Sequence, residues 1–302
     1  MRLSKEELEA IEKAFAKELE RNPEKMIAQY REMFCQETNY ICNDNALELC
    51  PGFKDAPPEQ KRLVAGSMSI RQTAGKVVYG TFDQMLKELP PAGTENIVTF
   101  VAGGAGSGKS HFIKEHPVIK EIIHQTSHIV FEVVQSFEEA NIERALNAGK
   151  DAFMLFVYRP IEAAAKGALA RAEEIGRIPN FDYLCNGHLH CQKEMKFLSQ
   201  IYQNNDSLIS VIGDNTKNDE ARILEPNTRR TLEFLQNNAY KDSREVRDRA
   251  FNAVQKYIGE REKAGKPVDK ELVQYYVGKE QAEREKTKGL ARQKDQEQER
   301  AR

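Results

Sequence analysis

The sequence predicts an α/β fold with a parallel sheet covered by helices, and three observations predict it. Short apolar segments at 97–102, 128–134, 152–158 and 208–213 have the length and β-branched content of buried strands. Helical stretches around 137–148, 160–175 and 188–203 lie between them, and alternating β and α segments with near-continuous apolar strands make a parallel sheet buried on both faces. Finally, the strand Ile97-Val98-Thr99-Phe100-Val101 runs directly into Gly103-Gly104-Ala105-Gly106-Ser107-Gly108-Lys109-Ser110, which fits G-x-x-x-x-G-K-[ST] in full. With a strand before it and helix-compatible residues after it, this is the context of a P-loop NTPase or kinase core.

The chemistry dictates those residue types. Glycines let the backbone curl so that N–H groups point inward at phosphate oxygens, and the following helix adds its N-terminal partial positive charge. Residues Gly103, Gly104, Ala105, Gly106, Ser107 and Gly108 form the expected cradle. Lys109 can reach the β- and γ-phosphates of ATP, and the Ser110 hydroxyl can ligate Mg²⁺.

Composition narrows the class. The chain has 302 residues, enough for one large or two small domains, and a formal net charge of -2. A globally basic nucleic-acid binder is therefore disfavoured. No apolar run reaches the roughly 18 residues of a membrane span, and the start MRLSKEELEA lacks an apolar signal core, so a cytoplasmic protein is expected. Cys35, Cys42, Cys50, Cys185 and Cys191 are odd in number and scattered, which argues for reduced thiols. Cys185, His188, His190 and Cys191 are four potential zinc ligands, but zinc sites separate two ligand pairs by a longer gap; the segment reads instead as loop and helix start.

In chain order, 1–92 reads as a helical region. Ser4-x-x-Glu7 is a capping box before Leu8, Ile11, Phe15 and Leu19, and Pro23 separates a second helix carrying Ile27, Tyr30, Met33 and Phe34. Asn43 to Leu49 reads as one or two turns, and two further helices carry Leu63, Val64 and Met68, then Val77, Val78, Phe82, Met85 and Leu86. Pro90-Pro91-Ala92-Gly93 marks a boundary, 93–220 is the P-loop domain, and 221–302 is again helical. From Lys279 onward apolar residues almost vanish, as in a solvated helix or a disordered tail.

Ligands in parallel sheets bind beyond the C-terminal ends of the strands, which selects Glu132, Gln135, Arg159, Asp214 and Asn215 as neighbours of the loop. Glu132 ends the apolar run Ile129-Val130-Phe131 and suits either of two roles: orienting Mg²⁺ or water, or holding and activating a substrate hydroxyl. Arg171 and Arg177 are six residues apart, about 240° around a helix, so they can converge on a triphosphate when Arg177 lies in a loop beyond the helix.

The ordered trio FVAGGAGSGKS, HIVFEVVQSFEEANIERALNAGKDAFMLFVYRP and ALARAEEIGRIPN resembles the zeta toxin family of phosphoryl-transfer enzymes over roughly residues 95–215. The resemblance implies an ATP- and Mg²⁺-dependent kinase acting on a small-molecule hydroxyl, such as that of a UDP-N-acetyl sugar. Lys109 would bind phosphate, Glu132 would bind the substrate, and Arg171 and Arg177 would be lid cations. It also implies control by a helical antitoxin protein, and the N-terminal helices suggest a built-in version of that control. One departure stands out. The family's general-base Asp lies on a strand soon after the loop helix, whereas His111 to Ser127 contain only Glu115 and Glu121 as acids, neither after a strand-like run. Asn43-Asp44 is a candidate replacement. The competing readings are a degenerate nucleotide-binding switch acting through its flanking helices, and a polynucleotide kinase, which the near-neutral charge disfavours.

Overall fold

Helix α1 (Lys5–Arg21) begins at the predicted box: Ser4 Oγ accepts from the Glu7 amide and Glu7 Oε2 accepts from the Ser4 amide at 2.7 Å. Pro23 opens α2 (Pro23–Phe34), where the missing proline N–H costs nothing. The computed structural model describes residues 3–300 apart from 37–38, 91, 94, 134–137, 176–178, 217–221 and 225–226.

After α2 the chain forms a strand that the helical reading of 1–92 does not anticipate, β1 (Tyr40–Cys42). The Tyr30 hydroxyl donates to the Cys42 carbonyl at 3.0 Å and accepts from its amide at 2.8 Å, which fixes the end of the strand. Then come α3 (Asn43–Ala46), a 3₁₀ turn (Leu47–Leu49), α4 (Pro58–Gly66) and α5 (Met68–Leu86). The next strand, β2 (Ile97–Ala102), leads through the glycine-rich loop to α6 (Lys109–Glu115) and α7 (Pro117–Thr126). The remaining elements are β3 (Ser127–Glu132), α8 (Glu139–Asn147), β4 (Asp151–Tyr158), α9 (Ile161–Ile175), α10 (Phe181–Ile201), β5 (Leu208–Asp214), β6 (Arg222–Ile223), α11 (Thr228–Asn238), α12 (Ser243–Lys263) and α13 (Lys270–Arg300).

The sheet order is β1-β3-β2-β4-β5-β6, parallel except for β6 against β5. The α/β class with a parallel sheet is therefore the architecture of the molecule. Alternation along β4 shows why the strands read as continuous apolar runs. Ala152, Met154, Phe156 and Tyr158 join the core beneath the N-terminal helices, whereas Phe153, Leu155 and Val157 join the core beneath α6 and α7. On the first face Phe82 of α5 packs on Phe131 with ring centroids 4.8 Å apart, each buried ring contributing about 2–3 kcal/mol. Phe15, Tyr30, Ile41, Val77 and Phe100 share that core. The N-terminal helices are thus built into the fold.

Two further differences bear on the site. Asn180 caps α10 by accepting from the amides of Asp182 and Tyr183, so that helix starts well before the expected 188. Residues Cys185, His188 and Cys191 occupy its buried side and His190 is exposed, so the four potential zinc ligands do not converge. The charged segment after Lys279 continues α13, anchored where Glu280, 6% exposed, accepts from Arg247 and Arg284.

Candidate nucleotide site

The loop joining β2 to α6 has left-handed backbone at Gly106 (φ 76°) and Gly108 (φ 87°), a conformation that favours glycine. Gly104 is glycine for a different reason: a Cβ there would lie 2.1 Å from the His188 ring. Lys109 opens α6 and folds back, donating from Nζ to the Gly103 carbonyl at 2.8 Å and lying 3.5 Å from Glu132 Oε1. Burial pushes its ammonium pKa down; Cys191, Asp44 and Cys42 act in the opposite direction, and the Arg171 charge adds to the lowering.

Glu132 stands at the C-terminal end of β3. The Tyr40 hydroxyl donates to its second carboxylate oxygen, so the strand that precedes the loop by more than fifty residues holds the acid that follows it. Parallel pairing aligns Cys42 with Glu132, which brings the next residues, Asn43 and Asp44, to the same end of the sheet. The edge position next to β3 is filled by β1, while α6 and α7 occupy the stretch after the loop.

A cavity of about 590 Å³ opens at this end. The loop, Lys109, Ser110, Glu132 and Arg171 line one part of it. Asn43, Asp44, Arg62 and Arg71 line another part, with Tyr183 and Tyr275. Arg71 Nη1 is 4.0 Å from Asp44 Oδ1, its Nε donates to the Ala65 carbonyl at 2.5 Å, and its guanidinium lies over the Tyr183 ring at 5.7 Å. Arg62 lies over Tyr275 at 5.8 Å. Residues of the N-terminal helices therefore form part of the wall of this cavity.

Of the sequence-predicted residues, Gly103 to Ser110, Glu132 and Arg171 come together; Gln135 and Arg177 lie outside the described residues. Arg159 is under the loop, with Nη1 donating to the Gly106 carbonyl at 3.1 Å, and burial followed by the Arg171 charge lowers its pKa. Asn215 donates to the Ser107 carbonyl at 2.7 Å. Asp214 turns to Arg222 and Thr216, anchoring β6. Arg62, Arg71, Tyr183 and Tyr275 escaped sequence reasoning, because each sits on a helix with no local motif and joins the cavity lining through tertiary packing alone.

The arrangement suits a triphosphate. Loop amides, a helix N-terminus, the Lys109 ammonium and the Arg171 guanidinium supply positive charge, while the Ser110 hydroxyl and Glu132 carboxylate are oxygen donors of the kind Mg²⁺ takes. Among the described residues no cluster of three or more His, Cys, Asp or Glu side chains could hold a metal alone, and no helix is long and apolar enough to cross a membrane.

No protein-family model and no curated protein matches the chain. Similar solved structures include the native AvrRxo1-ORF1:-ORF2 complex, 13% identical, covering 59% of this chain and 79% of that one with a TM-score of 0.38. The AvrRxo1-ORF1:-ORF2 complex with ATP is 14% identical over 59% and 80% of the two chains, TM-score 0.37. The PezAT chromosomal toxin–antitoxin system of the human pathogen Streptococcus pneumoniae is 13% identical over 60% and 95%, TM-score 0.35.

Proposed function

We propose that the protein is an ATP-dependent phosphotransferase that moves the γ-phosphate to a hydroxyl of a small molecule. The observation that carries this reading is one cavity lined by Lys109, Ser110, Glu132 and Arg171 together with a second carboxylate, Asp44. The acceptor implied by the resemblance is a nucleotide sugar of the UDP-N-acetyl type. In the same reading the enzyme works in the cytoplasm, and a helical antitoxin-type protein silences it.

The residues divide the work by environment. Glu132 is held by Tyr40 and Lys109, so it orients and balances charge. Asp44 is half exposed and steered by Arg71, which suits it to take the acceptor's proton. As the acceptor oxygen bonds to the γ-phosphorus, the bond to the bridging oxygen of ADP breaks and the hydroxyl proton passes to the Asp44 carboxylate. Lys109 and Arg171 offset the negative charge on the transferring group. The Ser110 hydroxyl and Glu132 carboxylate would hold Mg²⁺, which would supply positive charge beside the phosphates. Arg177 is proposed as a second lid cation on the resemblance alone.

Incubation with γ-labelled ATP and a panel of UDP-sugars, nucleosides and short oligonucleotides tests the reading. Label should appear on one small-molecule class and vanish with Lys109→Ala. Tight ATP binding with no transfer to any acceptor would replace it with a nucleotide-binding switch.

A further inference from the structure

A phosphate loop works only when its peptide planes are turned the right way, and this chain contains side chains that turn them. The carbonyl of Ala105 accepts from His188 Nε2 at 2.9 Å, that of Gly106 from Arg159 Nη1 at 3.1 Å, and that of Ser107 from Asn215 Nδ2 at 2.7 Å. The three donors come from three separate elements: α10, the end of β4 and the end of β5. None of the three lines the cavity, and each meets a successive carbonyl. In a planar trans peptide the carbonyl and the next residue's N–H point in opposite directions. Holding the Ala105 and Ser107 carbonyls outward therefore aims the Gly106 and Gly108 amides the other way, into the cradle. The Ser107 amide closes the turn on the Gly104 carbonyl at 3.1 Å.

We propose that His188, Arg159 and Asn215 form a donor collar that sets the phosphate loop in its anion-binding shape before nucleotide arrives, a role that rests on the nucleotide-binding reading above. His188 is the central member. It is 5% exposed, and its carbonyl partner makes Nε2 the protonated nitrogen of a neutral ring. The loop is shaped around it, since no residue larger than glycine fits at 104 against the ring. Gly108 is likewise open to Asn215, whose amide nitrogen would be 2.5 Å from a Cβ there. Helix α10 places this histidine between two cores, with Phe181, Leu184 and Cys185 in one and Cys191, Met195 and Leu198 in the other, so the donor has little freedom to move. These are positioning residues: they touch the loop's outer side, and the loop touches phosphate.

The test uses the full-length protein and the variants His188→Leu, His188→Gln and Asn215→Ala. Two quantities are read: ATP affinity by calorimetry, and hydrogen exchange of the 103–110 amides without nucleotide. The collar predicts that His188→Leu weakens ATP binding about tenfold and speeds exchange of the loop amides. His188→Gln, which keeps an N–H donor, should restore affinity to within about threefold of wild type. Asn215→Ala should move both quantities in the same direction as His188→Leu, and it decides the matter if the leucine variant fails to fold. Wild-type affinity and wild-type exchange in Asn215→Ala or in a folded His188→Leu overturn the collar, as does a folded His188→Gln as weak as the leucine variant. Wild-type protein that does not bind ATP overturns the phosphate reading itself, which separates the two failures.

Discussion

Two lysines, Lys150 buried and Lys109 partly buried, stand at opposite ends of the same sheet, and their surroundings differ. Lys150, 3% exposed, precedes β4 at the end remote from the phosphate loop. Its ammonium gives hydrogen bonds to the Glu88 carbonyl at 3.1 Å, Asn96 Oδ1 at 2.8 Å and His128 Nδ1 at 3.0 Å. Three donors meet three acceptors, and the cluster ties the end of the N-terminal layer to the base of β3 and β4. Lys109 has one carbonyl and one carboxylate 3.5 Å away among the described residues, and it lines a cavity of about 590 Å³. A saturated buried cation is a clasp. A partly buried cation that lines a cavity is suited to receive an anion.

Removing each lysine should therefore damage different things. Lys109→Ala should cut phosphate transfer by on the order of 10²–10³-fold while the melting temperature moves little; unfolding with retained transfer would break the contrast. Asp44→Asn should lower kcat about 10²-fold with ATP affinity unchanged, because it acts on the acceptor's proton. Steady-state kinetics beside calorimetry separates that outcome from a loss of ATP binding. Lys150→Met should cost about 2–3 kcal/mol of stability in urea denaturation, since it strands three acceptors, and should leave ATP binding intact.

The smallest effect is a pH dependence of folding. Burial, reinforced by Lys150, lowers the His128 pKa, and burial lowers that of His188 to about 4. Both rings are neutral in the folded state, while in the unfolded chain they take protons below about 6.5. Their contribution is therefore complete above about 6.5 and is lost as pH falls through the folded values. Melting curves between pH 7 and 4 should show this loss, and His128→Gln together with His188→Gln should flatten it. An unchanged slope in the double variant would remove these histidines from the account.

How much of this is visible in the sequence depends on how local each feature is. The loop from Gly103 to Ser110 is legible because eight consecutive residues carry the whole signal. Glu132 is legible because an apolar run points at it. Strand β1 has only three residues, Tyr40 to Cys42, too few to display a period, and its partner β3 begins more than eighty residues later. Asp44, just beyond that strand, therefore reads in the sequence as an isolated turn residue. The collar was half visible. The strand-end rule selects Arg159 and Asn215, but His188 stands at the expected start of a helix with no local signal, and only the tertiary docking of α10 brings it to Ala105.

The central claim is that the loop carrying Lys109 takes a triphosphate, and calorimetric titration of ATP with Mg²⁺ tests it most directly. Wild type and Lys150→Met should bind one ATP with similar affinity, and Lys109→Ala should bind at least about tenfold more weakly. Equal affinity in wild type and Lys109→Ala would contradict the account.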